Sequence, residues 1–328
     1  MDPSAPTGPP ASPDSTGVGG YRVLLYYRYF PVADPGAYAA VHRDLCQRLG
    51  LRGRVLIGRE GLNGTVSGPE RATDLYQRVL ATDPRTADMP VKIDRSQGHV
   101  FPKLSVKVRP EIVRLGLPEE SDIDPNRLTG RHLSPGEWAA AMADPGAVII
   151  DGRNRYESDL GRFRGALCPD IETFRDFPDW LSRHADALRG RRLLTYCTGG
   201  IRCEKLSGYL LKAGFSDVCQ LDGGIIRYAQ DPETRGRGFD GLCYVFDERV
   251  AVEANFTETR TVISRCRLCG EASPRYRNCA DPTCHDQIFL CEACETDHGC
   301  YCDPACRAHH QESLDAPAPA PPPASSPV

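Results

Sequence analysis

Residues 193–196 form an apolar, β-prone run that ends on Cys197, turns through Gly199 and Gly200 past Arg202, and enters a helical pattern at Glu204. A strand that empties into a helix across a short glycine turn is the joint of a parallel α/β sheet. The same alternation surrounds it. Ser134 and Glu137 make a capping box with Pro135 at the first helical position, and a helix follows through Trp138 and Met142. Strands are predicted over 147–150, 192–196 and 217–221, with a helix over 204–213. In such a sheet ligands bind at the carboxyl ends of the strands, and Cys197 stands at one.

The residues around Cys197 suit an activated thiolate. Backbone N–H groups of Thr198, Gly199, Gly200 and Ile201, with the dipole of the following helix, favour negative charge on sulfur. Arg202 adds a permanent positive charge. Together they would cradle an anion beside the sulfur, such as a persulfide. The C-x4-R spacing is one residue shorter than the C-x5-R phosphatase loop, a tighter cradle that argues against phosphate. The competing reading is an inert cysteine in a strand-to-helix turn. Cys203 either resolves a persulfide, pairs with Cys197, or packs; Cys168 has only a weak case for a role.

Ahead of this region, Tyr21–Tyr29 is aromatic and β-branched and reads as a strand. Asp34-Pro35 caps a helix carrying Tyr38, Val41, Leu45 and Leu49, which Gly50 can end. Strands over 54–57 and 64–67 flank a turn-rich stretch, 58–63. A helix over 69–80 and strands over 91–94 and 104–108 follow. The β-α-β-β-α-β order predicts a ferredoxin-like sandwich. Lys103, Lys107 and Arg109 alternate onto one face of the last strand. Beside the aromatic stretch 26–30, that stripe suits RNA backbone contact and base stacking, although a solvated strand face would look the same. The glycines of 58–68, with Asn63 among them, could approach a phosphate backbone or serve only a hairpin.

Nine of the fifteen cysteines lie between Cys266 and Cys306. They include Cys266-x2-Cys269, Cys279-x4-Cys284, Cys291-x2-Cys294 and Cys302-x3-Cys306, four pairs for two tetrahedral sites. So apolar-poor a segment needs such staples to fold. Two structural zinc ions are expected; an interleaved arrangement puts Cys266, Cys269, Cys291 and Cys294 in one site and Cys279, Cys284, Cys302 and Cys306 in the other, although the spacing leaves the pairing open. Cys300, His309 and His310 are spare ligands, and an iron–sulfur cluster is the alternative. The domains expected are a tail (1–20), a ferredoxin- or acylphosphatase-like RNA-binding domain (21–110), a linker (111–130), a parallel α/β domain (131–232), a Cys-rich module (233–312) and a second tail (313–328).

Forty basic residues against 44 acidic ones leave a net charge of −4, which neither demands nor excludes a nucleic-acid partner. No apolar run approaches the roughly 18 residues that span a bilayer. Residues 1–20 lack the basic and apolar regions of a signal peptide, so a cytoplasmic location is expected. The oligomeric state stays open.

Four motif groups then converge. Residues 151–154 (Asp-Gly-Arg-Asn) with Glu157, 161–166 (Gly-Arg-Phe-Arg-Gly-Ala), the Cys197 loop and 221–225 (Leu-Asp-Gly-Gly-Ile) resemble a rhodanese domain, in that family's order. Gly152, where the family usually has valine, departs from it and should weaken one packing contact. With 60–68 (Glu-Gly-Leu-Asn-Gly-Thr-Val-Ser-Gly), 103–109 (Lys-Leu-Ser-Val-Lys-Val-Arg), 169–175 (Pro-Asp-Ile-Glu-Thr-Phe-Arg) and 197–205, the chain resembles the oxygen-dependent tRNA uridine hydroxylases across 21–311. The resemblance implies an acylphosphatase-like domain joined to a rhodanese domain. It also implies C5 hydroxylation of uridine 34 in the anticodon arm of tRNA, consuming molecular oxygen, with the essential cysteine at Cys197. The electron donor is unidentified, for no flavin or nicotinamide motif is present. A rhodanese-type sulfurtransferase carrying a Cys197 persulfide, and a non-enzymatic RNA-binding scaffold, are the rival functions.

Overall fold

A computed structural model describes residues 20–315. They fall into two compact units, one of residues 20–28, 32–57 and 62–109, the other of 29–31, 58–61 and 110–315.

The first unit contains β1 (Tyr21–Tyr29), α1 (Pro35–Arg48), β2 (Arg52–Gly58), β3 (Gly61–Pro69), α2 (Glu70–Leu80), β4 (Val91–Ser96) and β5 (Leu104–Val108). Asp34 accepts the Ala37 N–H at 3.0 Å and starts α1 with Pro35 in its first turn. The sheet order is β4-β1-β3-β2-β5. Its first four strands have the ferredoxin-like order, and β5 adds a parallel edge beside β2. The turn-rich stretch 58–63 shrinks to Arg59 and Glu60, because β3 already begins at Gly61.

Two expectations for this unit need correction. The basic stripe does not lie beside the aromatic stretch, because β3 and β2 separate β1 from β5. Nor is Tyr26 free to stack on a base: it is buried, and its hydroxyl pairs with that of Tyr76 at 2.6 Å. A Cβ on Gly64 would stand 2.4 Å from the Tyr26 ring, so that glycine serves close packing in the core.

The second unit is built on a parallel sheet of β6 (Arg131–Leu133), β7 (Ala147–Asp151), β9 (Arg192–Tyr196) and β10 (Val218–Leu221), ordered β6-β10-β9-β7. Strand alternation divides the core. Leu193 and Ile150 join Phe177, Trp180, Leu206 and Leu210, while Leu194 and Tyr196 join Trp138, Phe163, Ile225 and Phe239. The Ser134–Glu137 capping box starts α3 (Pro135–Met142) as expected. The predicted helix forms as α6 (Ile201–Lys212), and the structure adds α4 (Arg155–Leu160), β8 (Gly161–Phe163), α5 (Phe177–Leu188) and α7 (Gly224–Gln230).

Residues 111–130 follow an irregular path, as a connector would, but they are not a free linker. Ile112, Leu115 and Ile123 are buried. Glu111, Glu60 and Asp122 converge on the buried Lys205 ammonium at 2.8, 2.8 and 3.4 Å. These anchors are too widely spaced to register as a periodic pattern. The α/β body also runs past 232: β11 (Phe239–Gly241) pairs with β8, and β12 (Cys243–Tyr244) pairs with β13 (Ala251–Val252).

The cysteine-rich end consists of the hairpin β14 (Tyr276–Asn278) and β15 (Gln287–Phe289), then α8 (Glu292–His298) and α9 (Pro304–Asp315). Helix α9 therefore extends into the stretch expected to be a tail. The remainder of both expected tails, 1–19 and 316–328, lies outside the described residues. Among the described residues, no helix is long and apolar enough to cross a membrane.

Candidate active site

Helix α6 begins at Ile201, three residues before the predicted start, so Arg202 and Cys203 lie in its first turn. Gly200 precedes it at φ +101°, curling the loop back over the sulfur. Cys197 is 1% exposed, and its Sγ accepts the Gly200 N–H at 3.1 Å. Burial alone would push this thiol up. The Cys203 thiol, the Arg202 guanidinium and the backbone N–H groups of Cys203 and Arg202 outweigh burial and hold it well below its ordinary value, at about 5. Cys203 is itself wholly buried, and burial together with the neighbouring Cys197 sulfur raises its own thiol. The arrangement favours the thiolate at Cys197 and the thiol at Cys203.

Several groups hold the loop rigid. The Ile225 N–H donates to the Cys197 carbonyl at 3.0 Å, and the Ile226 N–H to that of Thr198 at 3.1 Å. Both come from the start of α7, where Gly224 has φ +67°. A Cβ there would stand 2.5 Å from the Cys197 carbonyl oxygen, so only glycine lets the helix approach. The Tyr29 hydroxyl donates to the Ile201 carbonyl at 3.4 Å. The Thr198 hydroxyl lies 3.4 Å from Glu157 Oε1 and 3.5 Å from the Tyr244 carbonyl oxygen.

Arg202 brings to the loop the positive charge expected of it, and its fork is already paired. Its Nη1 and Nη2 donate to Glu157 Oε2 and Oε1 at 2.6 and 2.7 Å, a bidentate pair almost sealed from solvent. The guanidinium acts on sulfur through its field, while its fork is spent on Glu157. A second buried fork lies behind it: Arg153 bonds Asp151 at 2.9 and 2.6 Å, and Tyr196 donates to the same carboxylate at 2.6 Å. Of the amides of Thr198, Gly199, Gly200 and Ile201 assigned to the anion cradle, that of Gly200 donates to the sulfur, and the Arg202 and Cys203 N–H groups, which are not among them, also favour its charge. Gly152 does not loosen packing. A Cβ there would stand 2.8 Å from Leu206 Cδ2, so Leu206 fills the space.

Lys103, Lys107 and Arg109 lie exposed along one face of edge strand β5 and its ends. Asn63 sits half-buried on β3.

The eight paired cysteines assemble in the expected foursomes. In each, all four Sγ atoms lie within 4.8 Å of one another. Cys269–Cys291 and Cys284–Cys302 are 3.6 and 3.7 Å apart. A tetrahedron with metal–sulfur bonds of about 2.3 Å has edges of about 3.8 Å, so each foursome fits one ion. The spare ligands have other partners: Cys300 meets Glu295, His309 meets Asp281, and His310 meets Tyr301.

An acylphosphatase-like fold, a parallel sheet presenting a buried cysteine in a Gly-Gly-Arg loop, and a cysteine module define a rhodanese-type cysteine protein. Family models agree by segment: a UPF0176 acylphosphatase-like domain matches residues 21–112, a rhodanese-like domain 134–231, and a rhodanese C-terminal domain 240–307. A protein of Bacillus velezensis named tRNA uridine(34) hydroxylase is 50% identical over 291 residues, covering 89% of each chain. One of the same name from Staphylococcus haemolyticus is 49% identical over 291 residues, covering 89% of this chain and 90% of its own. The chain belongs to the tRNA uridine(34) hydroxylase family.

Proposed function

We infer that this protein hydroxylates uridine 34 of tRNA at C5, with Cys197 as the reacting group. The observation that carries this reading is the buried Cys197 sulfur, which accepts the Gly200 N–H and whose neighbours hold its thiol below the ordinary value, in a chain whose relatives from Bacillus velezensis and Bacillus pumilus carry that name. A thiolate is the species able to add to C6 of a uracil ring. Addition places carbanion character on C5, which can then react with dioxygen. One oxygen atom stays on C5. The other leaves as water after taking two electrons and two protons from an external donor, and loss of the C5 proton with elimination of the thiolate restores the C5–C6 double bond. The neighbouring Cys203 thiol and the loop N–H groups stabilise the sulfur anion before addition and after release.

The exposed Lys103, Lys107 and Arg109 suit contacts to the tRNA phosphate backbone, with Asn63 as a further polar contact. Zinc fits the two all-cysteine foursomes. They would hold the cysteine module together, and no chemical step passes through them. A soluble, cytoplasmic enzyme acting on the anticodon arm fits this reading.

The test is reconstitution with a uridine-34 tRNA, a reductant and 18O-labelled dioxygen. One 18O atom in 5-hydroxyuridine, lost with Cys197→Ala, is expected. Cys197-dependent thiocyanate production from thiosulfate and cyanide, without labelled nucleoside, would identify a sulfurtransferase instead.

A further inference from the structure

Phe246 lies in the turn between β12 and β13 and is 48% exposed. One side of its ring meets the Arg202 guanidinium, 5.8 Å from the ring centroid. It packs near-perpendicular to the Tyr244 ring, with centroids 5.2 Å apart at 78°. The Tyr244 carbonyl in turn faces the Thr198 hydroxyl of the nucleophile loop. The ring is thus fixed from the side of the loop and open to solvent elsewhere. Of the other rings around the loop, Tyr29, Phe163, Tyr196 and Tyr228 are buried, and Tyr156 and Tyr244 are partly covered, packing on each other.

The turn that presents Phe246 is over-determined. Arg249 grips the Asp247 carboxylate at 2.9 and 2.7 Å, and the Arg249 N–H donates to it at 3.0 Å. The Val245 N–H closes the turn on the Val250 carbonyl at 2.9 Å. Val250 is held at φ +61°, a left-handed conformation that β-branched residues avoid. Strain of this kind persists where surrounding contacts enforce it, and it concentrates at sites that bind or react. Here its effect is to hold a large apolar ring half in water beside Arg202, where burial would be favoured.

We propose that Phe246 is the ring on which the target uracil stacks when it is presented to Cys197. This rests on the tRNA hydroxylase reading. An anticodon base that reaches a buried sulfur must leave its own stack, and the acceptor site has to replace the lost stacking with an aromatic face. Phe246 offers that face, and the cation on its other side adds a charge–quadrupole contact that keeps the ring in place. Stacking is tolerant of base identity, so Phe246 supplies affinity and placement, and selection of uridine lies elsewhere.

Phe246→Trp provides a direct reporter, because the native tryptophans, Trp138 and Trp180, are both buried. Its fluorescence should be quenched by a synthetic anticodon stem–loop RNA carrying uridine 34, and not by the same RNA abasic at position 34. Phe246→Ala should lose about ten- to a hundredfold in kcat/KM. Phe246→Tyr should stay close to wild type, and alkylation of Cys197 by iodoacetamide and bound metal should be unchanged in all variants. Equal quenching by the abasic RNA, or wild-type kcat/KM in Phe246→Ala, would overturn the proposal. Absence of 5-hydroxyuridine with the wild-type protein would instead refute the hydroxylase reading, and the fluorescence comparison would still decide whether the base stacks.

Discussion

Replacing Glu157 by alanine should be among the most damaging changes near the site, although Glu157 never meets the sulfur. Its carboxylate is fully buried and takes both forks of Arg202, whose side chain is 9% exposed. Removing it strands a guanidinium in the interior, which costs about 3–5 kcal/mol. Removing both charges together, with Glu157→Gln and Arg202→Met, leaves no orphaned ion and should recover most of that loss. Asp186→Ala is the control: its partner is Arg189 in the same unit, the pair is 98% and 63% exposed, and such pairs contribute about 0–1 kcal/mol. Urea unfolding followed by tryptophan fluorescence reads the relevant unit alone, because Trp138 and Trp180 both lie in it. A Glu157→Ala cost below 1 kcal/mol, or a double variant as unstable as the single one, would refute the assignment of Arg202 as a charge held by Glu157.

The iodoacetamide rate at Cys197 should reach half its maximum near pH 5 and stay flat through neutral pH, where a free thiol near 8.5 is still gaining reactivity. The folded value is depressed, so the unfolded state binds the extra proton between the two values. The stability from this group is therefore present above the unfolded value and is lost as pH falls toward 5. Cys203→Ala removes a donor to the thiolate and should move the rate profile upward in pH. Elemental analysis should find two zinc ions per chain and one after Cys291→Ser, and chelation should melt the cysteine module while Trp138 and Trp180 stay buried. Replacing Lys103, Lys107 and Arg109 together by alanine should weaken tRNA binding and flatten the dependence of log Kd on log salt by about 2–3. An unchanged slope would remove β5 from the RNA interface.

The parts of this fold legible in the sequence were those with local signatures. The Ser134–Glu137 box, the Asp34-Pro35 cap and the cysteine spacings each specify geometry within a few residues, and each formed as expected. Cys197 was legible because a strand, two glycines and an arginine stand next to it in the chain. What escaped were relations between distant residues. Glu157 was visible as part of a motif, but nothing local says that it spends the Arg202 fork 45 positions away. The anchors at Ile112, Leu115 and Ile123 are single buried residues in an aperiodic stretch. The order β4-β1-β3-β2-β5, which parts the basic stripe from the aromatic strand, is a property of pairing that composition cannot carry. Phe246 had no signal of its own, since a lone phenylalanine near Asp247 and Arg249 reads as an ordinary turn.

The most direct measurement is mass spectrometry of tRNA nucleosides from cells that lack this protein and any redundant pathway, complemented with the wild-type chain or with Cys197→Ala. The account expects 5-hydroxyuridine-derived nucleosides to return with wild type and to stay absent with Cys197→Ala at equal protein level. Equal restoration by both chains, or by neither, would contradict it.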